Sequence, residues 1–276
     1  MTFDDSAIYG VDFSSAPKRD KPIVVACCEY RTAEIVLTRF DEFRDWPAFE
    51  HWLQRPGPWV AGFDFPFGLP RRYVEKMGYG QNWSGMVATY PSRGKEEFAN
   101  QAMSAFLAAR DPKDKHRLTD FASGSHSPLK TRTNPPVGLM FYEGAWRLHN
   151  SDVCIPGLRE TKSKKIALEA YPGLLARRMG ARLYKNDATL NANNRIAARK
   201  QLIATLQRPD PAAQKWVSKP IRCNPRAIEQ ILHPSGDWLD ATLCAVQAAW
   251  GYERRTTGYG LPAKIDPVEG WIVSAQ

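Results

Sequence analysis

The chain has 276 residues, 43% of them hydrophobic, which is enough to bury a full core and too apolar for a disordered tail. No uninterrupted apolar run approaches the roughly 18 residues of a membrane span, and the opening MTFDDSA is acidic where a secretory leader is basic and then apolar. A cytoplasmic protein without membrane contact is expected. Five cysteines, odd in number and without C-x-x-C spacing, argue against a disulfide framework or a zinc ribbon.

The net charge of +9 is concentrated in one zone. Between Arg159 and Lys200, eleven Lys or Arg residues face only three acids, in the runs RETKSKK, ARRMGAR and RIAARK. Such runs suit a phosphate-rich partner, although any one of them also reads as a solvated helix face.

AIYGVDFSS reads as a strand with Asp12 at its far end, and IVVACCEY and EIVLTRF as two more, three residues apart as in an antiparallel hairpin. A short amphipathic helix follows, capped by Asp45 and stopped at Pro56 and Gly57. PWVAGFDFPFGLP is a buried strand ending at Asp64 and broken by its prolines and Gly68. From about residue 71 to 160 helices and loops interrupt the sheet, and polar residues 111–136 form a stretch longer than an ordinary loop. KKIALEAYPG restores a strand, with Pro172 opening the next helix. Helices over about 191–207, 225–232 and 237–250 follow, and KIDPVEGWIV is a candidate terminal strand. A single domain with a helical insertion at 71–160 is the expected organisation.

In GDWLDATLCAVQAAW, Asp237 and Asp240 share a helix side with the small residues Ala241, Cys244, Ala245 and Ala248. Both aspartates read equally well as helix-start charges. Asp12 and Asp64 likewise read as turn residues at strand ends, and Glu169 as a flanking charge. Three strands, a helix, a strand, an insertion, a strand and late helices make up the element order of the ribonuclease H-like fold. The expectation is an α/β protein with a mixed five-stranded sheet of order 3-2-1-4-5, in which acids at strand ends meet a late helix.

GVDFSSA, AGFDFPFGLP, EAYPGLL with the later LYKND, DWLDATLCA and EGWI resemble, in that order, the motifs of the DUF429 family, a predicted nuclease group of the ribonuclease H-like superfamily. The resemblance runs from about residue 8 to 273, and HRLTD at 116–120 echoes an Arg and Asp pair of that family. The D-x-x-D-A of Asp237 to Ala241 is also similar to the C-terminal helix motif of Holliday-junction resolvases, which implies a metal site holding both aspartates.

Carboxylates crowded together repel one another unless a cation neutralises them, and Mg²⁺ or Mn²⁺ prefers such oxygen ligands. Asp12, on the central strand, is the expected bridging ligand. Asp64 and Asp240 complete the shell, and Asp237 or Glu169 shares a second ion about 4 Å away. Ser14, Ser15, Lys162, Lys164, Lys165, Arg177 and Arg178 are candidates for binding substrate phosphates. Among the tryptophans, Trp83 is the candidate for stacking on a base, while Trp146 is assigned to the core. The reading is a divalent-metal-dependent nuclease acting on DNA or RNA. An actin-like ATPase or phosphotransferase and a non-catalytic nucleic-acid-binding protein of the same fold are the alternatives.

Overall fold

The computed structural model describes residues 7–188 and 191–276. The residues MTFDDS, read above for a leader, lie outside them. The chain forms a mixed α/β structure around one six-stranded sheet, in the order β5-β4-β1-β2-β3-β6. The strands are β1 (Ala7–Asp12), β2 (Ile23–Tyr30), β3 (Ile35–Phe43), β4 (Trp59–Phe63), β5 (Lys165–Glu169) and β6 (Ile221–Cys223). The expected five-stranded sheet is therefore corrected. Residues Ile221–Cys223 pair in parallel with Ile35–Leu37 and cover the edge of β3. Three residues carry too little periodicity to be seen as a strand in isolation. The terminal KIDPVEGWIV makes one isolated bridge, Glu169 to Ile272, and adds no strand.

β1 pairs antiparallel with β2 and parallel with β4, and β4 pairs parallel with β5. Alternation then sorts the side chains onto two faces. Ile8, Val24, Ala26, Val60 and Leu168 point to one core, shared with α7 (Pro172–Arg178), α8 (Ala192–Gln207), α9 (Pro225–Ile231) and α10 (Asp237–Glu253). Val11, Val25, Ala61, Phe63 and Ala167 point to the other. That core is shared with α1 (Trp46–Leu53) and with helices of the insertion: α2 (Arg71–Met77), α3 (Trp83–Thr89), α4 (Lys95–Ala108) and α6 (Val137–His149). The polar stretch at 111–136 includes a short helix, α5 (Leu118–Ser123), with Thr119 and Asp120 buried.

Trp83 belongs to this second core. It is fully buried, and its indole N–H donates to the Phe67 carbonyl at 2.6 Å, so the stacking role expected for it is withdrawn. Trp146, assigned above to the core, is instead 39% exposed.

The contact that fixes the architecture is α10 lying on β1 and β4. Gly10 and Gly62 stand on the α10 face, and neither has room for a side chain. A Cβ on Gly10 would sit 2.0 Å from the Ala241 oxygen and 2.1 Å from the Ala245 nitrogen, and one on Gly62 would sit 2.4 Å from the Cys244 oxygen. The helix answers with its own small residues, all buried.

Gly10→Ala must push helix and sheet apart, and overpacking of this kind costs about 3 kcal/mol or more when the obstruction is backbone. Urea unfolding of that variant is expected to show the loss. A loss below about 1 kcal/mol would mean that the contact is looser than described.

Candidate metal centre

Asp12 ends β1, two residues beyond Gly10, and Asp64 follows β4, two residues beyond Gly62, so period two turns both toward α10. The Asp64 amide donates to the Val11 carbonyl at 2.9 Å, continuing the ladder one step past β4. Asp240 lies in the first turn of α10, just before Ala241, which covers Gly10. Each of Asp12, Asp64 and Asp240 places a carboxylate oxygen within 4.8 Å of the other two. Asp12 and Asp240 are buried, and Asp64 keeps partial exposure.

Asp237, at the start of the same helix, is buried and makes no helix-capping bond. Its Oδ1 accepts Lys21 Nζ at 2.7 Å instead. Asp240 is engaged on both oxygens: Oδ1 accepts the Tyr184 hydroxyl at 2.7 Å and Oδ2 pairs with Lys185 Nζ. The stem of Lys185 crosses Gly236, where a Cβ would fall 2.6 Å from Lys185 Cγ.

The loop carrying Tyr184 and Lys185 is held from the basic zone. Arg199, buried, donates to the Tyr184 carbonyl at 2.6 Å and to both oxygens of Asp187, at 2.9 and 2.7 Å. Arg195 donates to the carbonyls of Lys185 and Asn186. The run RIAARK, which suits either a phosphate-rich partner or a solvated helix face, therefore positions this loop through Arg195 and Arg199.

These charges act on one another. Burial pushes Asp12 well above the ordinary carboxylate range; Lys185 pulls it back, and Asp240 and Asp237 push it further up. Burial, reinforced by the Asp240 charge, raises Asp64 to about 7. Burial alone would lower Lys185, but Asp240 and Asp12 outweigh it and hold the ammonium protonated above its usual range. Four carboxylates thus share two ammonium groups. Fully ionised, they leave two negative charges, the charge of one divalent cation. Oxygen donors at this separation, short of positive partners, could hold a metal ion.

Glu169 is not in this group. It pairs in register with Phe63 on β5 and β4, and both face the insertion, on the opposite side of the sheet from Asp12 and Asp64. There its Oε1 accepts Arg117 Nη2 at 2.7 Å, and its Oε2 accepts Arg117 Nη1 and the Phe67 amide, both at 2.9 Å. Arg117 is 1% exposed and also binds Asp120 at 2.8 Å and the Glu269 carbonyl at 3.0 Å. Asp120 and Glu169 raise Arg117 against the opposing pull of burial. Burial raises Glu169, with Arg117 opposing. Arg117 stands in HRLTD, and its spacing to Asp120 was the only sign of this buried pair in the sequence.

The basic candidates separate in space. Lys165 opposes Trp59 and Glu169 opposes Phe63, so Lys162, Lys164 and Lys165 lie at the far end of β5. Four residues at about 3.3 Å each put Lys165 roughly 13 Å from that carboxyl end. Arg177 donates to the Tyr171 hydroxyl and the Ser123 carbonyl, and Arg178 to the Ser274 carbonyl while stacking on Trp216. Ser14 and Ser15 follow Asp12 after the intervening Phe13 and are largely buried, with Ser14 Oγ accepting the Ala16 amide at 3.3 Å.

Residues 10–263 match the model of the family described as "Protein of unknown function (DUF429)", and the chain belongs to that family. No curated protein and no solved structure matches the chain.

Two measurements follow from the electrostatics. Arg117→Met strands two buried carboxylates, and breaking a buried ion pair costs about 3–5 kcal/mol, to be read from urea midpoints. Asp64 holds its proton more tightly folded than unfolded, so the stability this gives at about pH 4 is lost as the pH rises toward 7. In EDTA that loss is on the order of 2 kcal/mol, partial exposure keeping it below the value for full desolvation. Asp64→Asn should flatten the slope of stability against pH over that range. An unchanged slope would contradict the raised value.

Proposed function

We propose that the chain is a divalent-cation-dependent hydrolase of nucleic-acid phosphodiesters with a ribonuclease H-like fold. The observation that carries the reading is the convergence of Asp12, Asp64 and Asp240 within 4.8 Å from three distant stretches of chain. The central run β5-β4-β1-β2-β3, with β1, β4 and β5 parallel, supports the fold.

Asp12, Asp64 and Asp240 would hold Mg²⁺ or Mn²⁺. When bound, the cation supplies Lewis acidity, activating water and offsetting charge on phosphoryl oxygens. Tyr184 fixes the rotamer of Asp240 by its hydrogen bond. Lys185, which pairs with Asp240, would be the ammonium group available to a phosphate oxygen were a metal ion held there. Lys21 keeps Asp237 neutralised beside them. In the overall reaction the water oxygen forms a bond to phosphorus, the ester P–O bond breaks, and the alcohol leaves with a proton. Asp237 is taken up by Lys21 and Glu169 by Arg117, so the set favours one principal cation over the expected pair.

The test is incubation of purified chain with labelled single-stranded, duplex and branched DNA and RNA in Mn²⁺ or in EDTA. Cleavage is expected in Mn²⁺ only, and Asp12→Asn should lower it by more than about a hundredfold, as losing a principal electrostatic group does. Equal cleavage by wild type and Asp12→Asn would sink the proposal.

A further inference from the structure

The insertion carries an aromatic and cationic face at the edge of the second core, against which Phe106 packs. His116 bridges Phe106 and Phe121, with ring centroids 6.5 and 5.5 Å away. Lys115 and Lys130 place their ammonium groups over the Phe106 ring, at 5.3 and 5.2 Å. Phe121 is 51% exposed and Leu118, on the same short helix, 57%. Among the described residues neither lysine has a carboxylate at ion-pair distance, and the neighbouring acid Asp120 is buried under Arg117. Open aromatic rings and uncompensated ammonium groups therefore share one surface.

Its position is tied to the insertion side of the sheet, across from the acidic pocket. Arg117, between His116 and Leu118, turns inward to Glu169, and Glu169 accepts the amide of Phe67, three residues past Asp64. The face therefore starts one residue from a side chain that touches the strand end beside Asp64.

We infer that this face binds unpaired nucleotides of a single-stranded nucleic acid, with bases against Phe121 and His116 and phosphates on Lys115 and Lys130. Every base has a flat apolar surface that stacks on such rings, whereas in a duplex those surfaces are already covered. Ammonium groups beside the rings meet the charge that each nucleotide carries. That the strand continues to Asp12, Asp64 and Asp240 rests on the function proposed above. The binding itself does not.

Fluorescence anisotropy of the full chain in EDTA, with labelled oligothymidylate and with a mixed-sequence duplex, tests the inference without turnover. The single strand should bind more tightly than the duplex. Phe121→Ala should weaken it roughly tenfold and leave the salt dependence unchanged. Lys130→Gln should reduce the slope of log K against log salt by about 0.7, one phosphate contact. Both side chains are at the surface, so circular dichroism melts should match wild type. Equal affinity for duplex, no effect of Phe121→Ala, or displacement by inorganic polyphosphate as effective as by the unlabelled strand would overturn the inference. So would binding of polyglutamate with none of oligothymidylate. Strand binding without Mn²⁺-dependent cleavage would remove the hydrolase reading alone. Cleavage of single strands undiminished in both variants would remove this inference alone.

Discussion

The closeness of α10 to the sheet is the constraint from which the rest follows. Helix and sheet ordinarily keep a layer of side chains between them, but here Gly10 and Gly62 remove that layer on two adjacent strands. Asp12 and Asp64 stand two residues further along those strands, so the same parity that aims the glycines at the helix aims the carboxylates at its first turn. Asp240 is there because Ala241, its neighbour, is the residue seated on Gly10. Packing and chemistry are one geometric statement: the backbone approach that excludes a methyl group also draws three carboxylates together.

Such a pocket is costly, and the chain meets the cost with charges from outside the sheet. Lys21 comes from the β1–β2 connection and Lys185 from a loop pinned by Arg195 and Arg199. Burial raises the proton affinity of Asp12 and Asp64, which favours their neutral forms over the remaining charge. Asp12, Asp64 and Asp240 of this pocket stand close enough together to hold a metal ion. The Arg117 network on the other face works differently. There the carboxylates of Asp120 and Glu169 meet a guanidinium that is almost fully buried, an arrangement suited to fastening the insertion onto the sheet.

The basic zone illustrates how composition and placement part ways. Its excess charge pointed to a polyanion, yet Arg177, Arg178, Arg195 and Arg199 spend their donors on carbonyls, a phenol and a carboxylate of the chain itself. Guanidinium is well suited to this, because its planar fork satisfies several carbonyls at once. Lysines cannot fork in that way, and among the described residues Lys162, Lys164 and Lys165 of the zone, like Lys115 and Lys130 of the insertion, have no acid at ion-pair distance.

By itself the sequence determined the mixed α/β class, the main strands and helices, the family motifs and the small stripe of α10, because these rest on local periodicity and on residue types. It also supplied Asp12, Asp64 and Asp240 as candidates, since strand ends and helix starts can be read from spacing. Tertiary structure decided which acids meet. Glu169 differs from Ala170 by one step of a two-residue period, and that step sends it through the sheet to Arg117 instead of toward Asp64. It also decided that β6 covers the edge of β3 and that Lys21 and Lys185 serve the pocket, because partners 216 and 55 residues away in the sequence are chosen by packing, which no local pattern encodes.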